Sequence, residues 1–283
     1  MAEIRLAGVS YYHGKGTPYE IKALDSIDLT IRSGIVTGII GHTGSGKSTL
    51  VELFNGILKP TEGTVYLDGE DIWAKPKEIR RVRFRVGLVM QYPEAQLFEE
   101  TIRADIAFGP KNMGLSAEEI SERVVEAARF VGLDNELLDK SPFDLSGGQK
   151  RRAAIAGIIA MRPEVLILDE PAAGLDPAGR EAVFTNIINY KRETGATVII
   201  VSHSMEDMAR YCDDIVVMSD GEVMMQGDRD TVFGDADKLS AAGLDIPQTA
   251  KLMTALRERG IDISRSIYTP DAAYSALLAL FNK

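Results

Sequence analysis

The chain has 283 residues, 45% hydrophobic and 26% charged, with a formal net charge of −10. That length provides one large domain, or a main domain with a small appendage, around a core that needs no disulfide staples. Acidity speaks against a general nucleic-acid binder, which needs a basic face for phosphates. A single cysteine, Cys212, leaves neither an internal disulfide nor a Cys-based metal cluster and suits a reducing cytosol. Met1–Arg5 lacks the apolar core of a signal peptide. No run reaches the roughly 18 apolar residues of a membrane span. The longest candidate, Ala153–Met161, is short and sits between Arg152 and Arg162. A soluble chain, able to dock on a membrane protein, is expected.

The first third reads mostly as strands. Ile4, Leu6 and Val9 come first, then a Gly-, Lys- and Pro-containing loop from His13 to Pro18. Ile27, Leu29 and Ile31 alternate with polar residues, the period of a half-buried strand. Ile35–Ile40 reads as a buried strand and Thr49–Phe54 as the opening of a helix. Between them stands Gly41-His42-Thr43-Gly44-Ser45-Gly46-Lys47-Ser48, which fits the P-loop pattern G-x-x-x-x-G-K-[ST] in its required strand–loop–helix context. Glycines at 44 and 46 let successive N–H groups point into one concavity, and the helix start adds unpaired N–H groups and a positive dipole end. Lys47 can then reach the β- and γ-phosphates, and the Ser48 hydroxyl can hold Mg²⁺.

Pro60–Gly63 is a turn, Thr64–Leu67 a strand, and Val86–Met90 an apolar run ending at Gln91. The basic run Arg80–Arg85 reads as a solvated or acid-pairing surface. From Pro93 to Asp144 the character is helical. Ser116 and Glu119 have capping-box spacing ahead of the apolar stripe Ile120, Val124, Ala127, Ala128 and Val131. After Ser146 come a helix to about Met161, strand Val165–Leu168, helix Ala178–Thr194, strand Thr197–Val201, helix Met205–Tyr211 and strand Ile215–Met218. Such alternation predicts a largely parallel sheet covered on both faces. Two amphipathic helices, near Gln248–Arg259 and Asp271–Phe281, close the chain.

Two further stretches carry chemistry. Leu168-Asp169-Glu170 ends an apolar strand, where ligands meet a parallel sheet. An Asp there can hold Mg²⁺ and a Glu one step on can polarise attacking water. Leu145-Ser146-Gly147-Gly148-Gln149 has capping-box spacing at the start of a helix. Two glycines in a first helical turn cost roughly 1 kcal/mol each relative to Ala. They make sense where something, naturally a phosphate, approaches the backbone closely.

The P-loop, LSGGQ, VLILDEP, GLDP and a late Ser-His resemble, over about residues 3–235, the ATPase subunit of an ABC transporter, an α/β P-loop fold with a mixed sheet core. The resemblance implies ATP and Mg²⁺ as ligands. Residues 41–49, Gly41 to Thr49, would bind nucleotide, with Lys47 also catalytic. Gln91 would touch Mg²⁺ and report nucleotide state to a membrane partner, alongside Ser48 and Asp169 as metal-site residues. Glu170 would be the general base and His203 the γ-phosphate switch. Asp176 falls in the D-loop, and it is also an Asp N-cap before Pro177. Ser146, Gly147, Gly148 and Gln149 would face the ATP of a second subunit. The adenine-stacking position falls on His13, where the family usually has an aromatic residue; with Tyr11 and Tyr12 just before it, which of these meets adenine stays open.

Gly16–Glu20, the segment Gln91–Phe98 with Phe108-Gly109-Pro110, and Leu145–Ile155 with Arg151-Arg152 resemble the ATPases of energy-coupling factor transporters, which import vitamins and transition-metal ions. The Thr-Pro-x-Glu insertion is similar to the second of two paralogous ATPases. The resemblance implies a heterodimer with another such ATPase, a transmembrane coupling subunit, a separate membrane substrate-binding subunit and a peripheral place on the cytoplasmic membrane face, with no nucleic acid bound. It divides the chain into an ATPase core (1–92 and 145–240), a helical subdomain (93–144) and a C-terminal helical dimerisation extension (241–283). The alternative is a soluble ABC-type ATPase acting on DNA or ribosomes. DNA-repair relatives split the ATPase with a long coiled coil, and no sustained heptads stand between Gln91 and Ser146; ribosome-acting relatives usually carry two modules. A catalytically dead module is the other rival, and intact Lys47, Asp169, Glu170 and His203 argue against it.

Overall fold

A computed structural model describes residues 2–264 and 266–281. Of the expected C-terminal extension, residues 265, 282 and 283 lie outside the described residues. Two sheets form the body. The larger contains β3 (Val36–Gly41), β6 (Val86–Val89), β7 (Val165–Asp169), β8 (Thr197–Val201), β9 (Asp214–Ser219) and β10 (Glu222–Gly227), in the order β10-β9-β3-β8-β7-β6. All its pairings are parallel except β10 with β9. The smaller is antiparallel, with β1 (Ile4–His13), β2 (Ile21–Ile31), β4 (Glu62–Leu67) and β5 (Glu70–Asp71) in the order β2-β1-β4-β5.

Strand alternation explains why the parallel strands read as unbroken apolar runs. Ile39, Ile167, Ile199, Val201 and Val216 face the antiparallel sheet and helix α1 (Lys47–Phe54), which contributes Leu50, Leu53 and Phe54. Ile40, Leu166, Leu168, Val198, Ile200 and Val217 face the opposite core, shared with α3 (Ile102–Asn112), α4 (Ala117–Phe130), α5 (Gly147–Ile159), α6 (Pro177–Thr194) and α7 (Met205–Tyr211). With both faces covered, neither set can be polar. Helix α1 is therefore wedged between the sheets, and its first turn opens at the carboxyl end of β3.

The expected capping signals operate as such. The boxes at Ser116/Glu119 and Ser146/Gln149 are both reciprocal, and Asp176 Oδ1 accepts from Gly179 N at 2.7 Å ahead of Pro177. Other boundaries differ from expectation. β1 continues through Tyr11 and Tyr12 to His13, so His13 ends a strand instead of opening a loop. The basic run folds as α2 (Ile79–Arg85), and each of its four arginines is tied to this chain: Arg80 to Asn112, Arg81 to Glu78, Arg83 to the Gly56 carbonyl, Arg85 to Asp68 and Glu164. β10, α8 (Arg229–Phe233) and α9 (Ala236–Ala241) have no counterpart among the elements expected from sequence. For β10 a signal was present: Asp220 and Gly221 both take positive φ, the Asp-Gly hairpin turn. Its residues are half-exposed, so no apolar run marked it.

At the C-terminus, α10 (Gln248–Glu258) and α11 (Pro270–Phe281) share a separate small core of Met253, Ile263, Ile267 and Ala273. Tyr268 packs against Phe233, ring centroids 5.7 Å apart, joining this pair to the ATPase body.

Candidate functional site at the carboxyl edge of the parallel sheet

The loop between β3 and α1 has the geometry that phosphate needs. Gly44 and Gly46 take φ values of 87° and 97°, conformations open to glycine and strained for other residues. A Cβ on Gly46 would lie 2.7 Å from both the Ala23 carbonyl oxygen and Leu24 Cδ2, whereas one on Gly44 would meet nothing within 4 Å. Gly46 is thus fixed by its neighbours as well as its φ, and Gly44 by its φ alone. Ser45 N donates to His42 O at 3.2 Å, and the Ser45 carbonyl accepts from Gly221 N at 3.3 Å. His42 folds its Nδ1 towards Thr43 O at 2.9 Å, beside Thr43 and Gly44, both exposed. Lys47 is buried and its Nζ donates back to the Gly41 and His42 carbonyls at 2.7 and 2.9 Å. Burial holds this ammonium below the ordinary lysine range.

Parallel pairing carries the other groups to the same edge. β7 and β8 run in register to Asp169 opposite Val201, one residue before Ser202-His203. Ser48 Oγ donates to Asp169 Oδ2 at 3.2 Å across 121 positions of sequence. Burial raises the Asp169 carboxyl, a push that the Ser48 hydrogen bond and Lys47 charge oppose. Glu170 sits in the left-handed region at φ 49°, its N–H held by Val201 O at 3.0 Å. Its Oε1 lies 3.2 Å from His203 Nε2 but, among the described residues, has no hydrogen-bond partner. Burial first, then the neighbouring Asp169 charge, raises this carboxyl to about 7. Burial and the Lys47 charge lower the His203 imidazole.

Gln91 is exposed two residues beyond the end of β6, whose Val89 pairs with Leu168, so it stands at the same edge. His13 Nε2 reaches Thr49 Oγ1 at 3.3 Å, placing its ring over α1, with Tyr11 edge-on beneath it at 5.0 Å. Tyr12 lies instead under the Lys15 and Lys22 ammoniums, on the alternate strand face. The Ser146–Gln149 segment is not brought to this cluster. It begins α5, which packs on α3, α4 and the turn Pro93–Gln96, and Ser146 and Gly147 are exposed there. Asp176, exposed, caps α6.

Two ties escaped sequence reading. Arg180 in the first turns of α6 grips Asp207 in α7 with bidentate bonds of 2.6 to 3.0 Å. Arg151 in α5 bonds Glu94. Both pairs join residues distant in sequence, and no local spacing reveals them.

Hard oxygen donors at Ser48 and Asp169, beside an open anion concavity and a buried lysine, fit a divalent cation bound together with a polyphosphate. A P-loop at the end of β3, an Asp-Glu pair at the end of β7 across the intervening β8, and a Ser-Gly-Gly helix start remote from both define an ABC-type ATPase. The comparisons agree. The family model for the ABC transporter domain matches residues 24–173, and the chain belongs to that family. Within it, the chain groups with the energy-coupling factor ATP-binding proteins. It is 52% identical over 276 residues to the energy-coupling factor transporter ATP-binding protein EcfA2 of Clostridium acetobutylicum, covering 97% of this chain and 96% of that one. The EcfA2 protein of Caldanaerobacter subterraneus is 50% identical over 275 residues, covering 97% and 96%. Among solved structures, CbiO1 of Clostridium perfringens, described as part of the ABC transporter complex CbiONQ, is 39% identical with a TM-score of 0.75, covering 89% and 98%. The dimeric cassette MJ0796 is 30% identical with a TM-score of 0.72, covering 80% and 98%. None of these supports the DNA or ribosome alternative.

Proposed function

We infer that this chain is the ATP-binding and ATP-hydrolysing subunit of an energy-coupling factor type importer for vitamins or transition-metal ions. The observation that carries the catalytic reading is the convergence of Lys47, Ser48, Asp169, Glu170 and His203, from the ends of β3, β7 and β8, on the carboxyl edge of one sheet. Residues 41–49 cradle the phosphates, and Lys47 exchanges its two carbonyl partners for phosphate oxygens. Ser48, Asp169 and Gln91 would hold Mg²⁺, which neutralises phosphate charge when bound. The Glu170 carboxylate, with an oxygen that no donor among the described residues satisfies, accepts the proton of the attacking water. His203, 3.2 Å from that oxygen, contacts the γ-phosphate. His13, over α1, is the adenine platform.

The remaining assignments concern partners. Ser146, Gly147, Gly148 and Gln149 meet the ATP of a second ATPase subunit, and Asp176 lies at that junction. ATP thus closes the pair and hydrolysis opens it, with a heterodimer favoured. An apolar groove of about 490 Å³, lined by Phe84, Met90, Leu97, Phe98 and Phe108, suits a coupling helix of a transmembrane subunit. A separate membrane protein holds the solute, and this chain lies peripherally on the cytoplasmic membrane face. The division into core (1–92 and 145–240), helical subdomain (93–144) and C-terminal dimerisation extension (241–283) follows from these roles.

The test is ATPase turnover of the chain alone and co-expressed with its genomic neighbours, beside Glu170→Gln. Loss of a general base lowers turnover by roughly 10²–10⁴-fold, so the variant should bind ATP and not turn it over. Activity that rises steeply only with a second ATPase and a membrane subunit supports the importer. Full activity of a lone homodimer with no membrane partner recovered would sink it.

A further inference from the structure

Arg151 is nearly inaccessible, with its side chain 5% exposed, yet it is a permanent cation in the interior of the ATPase body. Its guanidinium is divided between two segments. Nε and one terminal nitrogen bond the two oxygens of Glu94 at 3.1 and 2.9 Å. The other terminal nitrogen donates to the Ala173 carbonyl and, at 3.5 Å, to the Pro171 carbonyl. Glu94 stands in the turn Pro93–Gln96, three residues after Gln91. Pro171 and Ala173 form the turn after Glu170, closed by Ala173 N donating to the Glu170 carbonyl at 3.1 Å. Burial alone would raise the Glu94 carboxyl, but the Arg151 bonds and charge hold it below the ordinary range.

Helix α5 thereby bridges the two turns that follow the paired strands β6 and β7, beyond the end of their ladder at Val89 and Leu168, and the same helix is capped by Ser146 and begins with Gly147-Gly148. A buried guanidinium has few stable alternatives, because leaving either partner strands an uncompensated charge or carbonyl. We propose that Arg151 is a positioning residue that fixes the turn of Glu170 relative to the Gln91–Glu94 turn, so that the catalytic carboxylate is aligned only when Glu94 is gripped. The planar fork is essential to this role: two nitrogens are spent on Glu94 while the third serves the carbonyls, and an ammonium cannot span both. ATP affinity, set chiefly by residues 41–49 and His13, does not pass through this joint. The proposal rests on the reading of Glu170 as the base.

The experiment compares Glu94→Gln, Arg151→Lys and the double variant with the unaltered chain, in complex with its partner subunits, measuring kcat, KM, ATP dissociation constant and melting temperature. Glu94→Gln is nearly isosteric at a quarter-exposed position. The expected result is a kcat at least fivefold lower in each single variant, an ATP dissociation constant within twofold, and a double variant no worse than the poorer single one. Arg151→Lys should fail to restore activity although it keeps the charge. A folded Glu94→Gln with unaltered kcat, additive losses in the double variant, or a Glu94→Gln chain that does not fold would each overturn the proposal, the last by making the pair a purely structural one. A chain whose turnover survives Glu170→Gln would defeat the reading of the base. Unaltered kcat in Glu94→Gln beside an inactive Glu170→Gln defeats the joint alone.

Discussion

Tyr11, Tyr12 and His13 are consecutive in β1, and strand alternation sends them to two faces. His13 and Tyr11 meet over α1, and Tyr12 goes to the side of Lys15 and Lys22. The proposed adenine platform over the P-loop helix is therefore His13, with Tyr11 as its backing. Stacking of a base on an aromatic side chain contributes about 1–3 kcal/mol by alanine substitution. His13→Ala should thus weaken ATP binding roughly fivefold or more while leaving inorganic triphosphate affinity unchanged, and Tyr12→Ala should leave both within twofold. Calorimetric titration with the two ligands checks the pair. A Tyr12→Ala loss larger than that of His13→Ala would reassign the platform.

Between elements, one charged tie crosses from the smaller sheet to the larger. Arg85 ends α2 and pairs both with Asp68, in the turn after β4, and with Glu164, just before β7, at 2.6 and 2.9 Å for the latter. The Glu164 carboxyl is held below the ordinary range by this guanidinium. Asp68 is lowered too, against burial, by the Glu3 N–H and by Arg85. Carboxyls lowered on folding add stability that is fully present above their unfolded pKa of about 4 and lost as pH falls through the folded values. All three side chains are more than a third exposed, so solvent screening limits the gain to about 1 kcal/mol or less. Arg85→Gln should lower the melting temperature slightly near pH 7, and the difference from the unaltered chain should shrink towards pH 3. A difference that stays constant with pH would assign the effect to lost packing.

For the whole molecule, the proposed function requires a second ATPase subunit. One chain presents a phosphate cradle at one strand edge and a Ser-Gly-Gly helix start elsewhere, and α10 and α11 end in a small core with Tyr274 and Leu278 exposed. Leu278→Glu combined with Tyr274→Ala should weaken association of the two ATPase subunits, read by sedimentation, without altering ATP affinity of the separate chain. Unchanged association would remove the C-terminal helices from the dimer contact.

The phosphate loop, the Asp169-Glu170 strand end and the three helix caps were legible because each depends on local chemistry: backbone conformation at glycine, strand periodicity, and side chains that satisfy N–H groups three residues away. The parallel strands were legible because burial on both faces leaves unbroken apolar runs. Edge strand β10 and helices α2, α8 and α9 lacked that signature, being half-exposed or short. What the tertiary structure alone decided was which distant residues meet. Ser48 with Asp169, Glu170 with His203, Arg151 with Glu94 and Ala173, and Arg180 with Asp207 are joined by strand order and helix packing. No spacing along the chain encodes those distances, because sheet pairing brings residues together without regard to the length of chain between them.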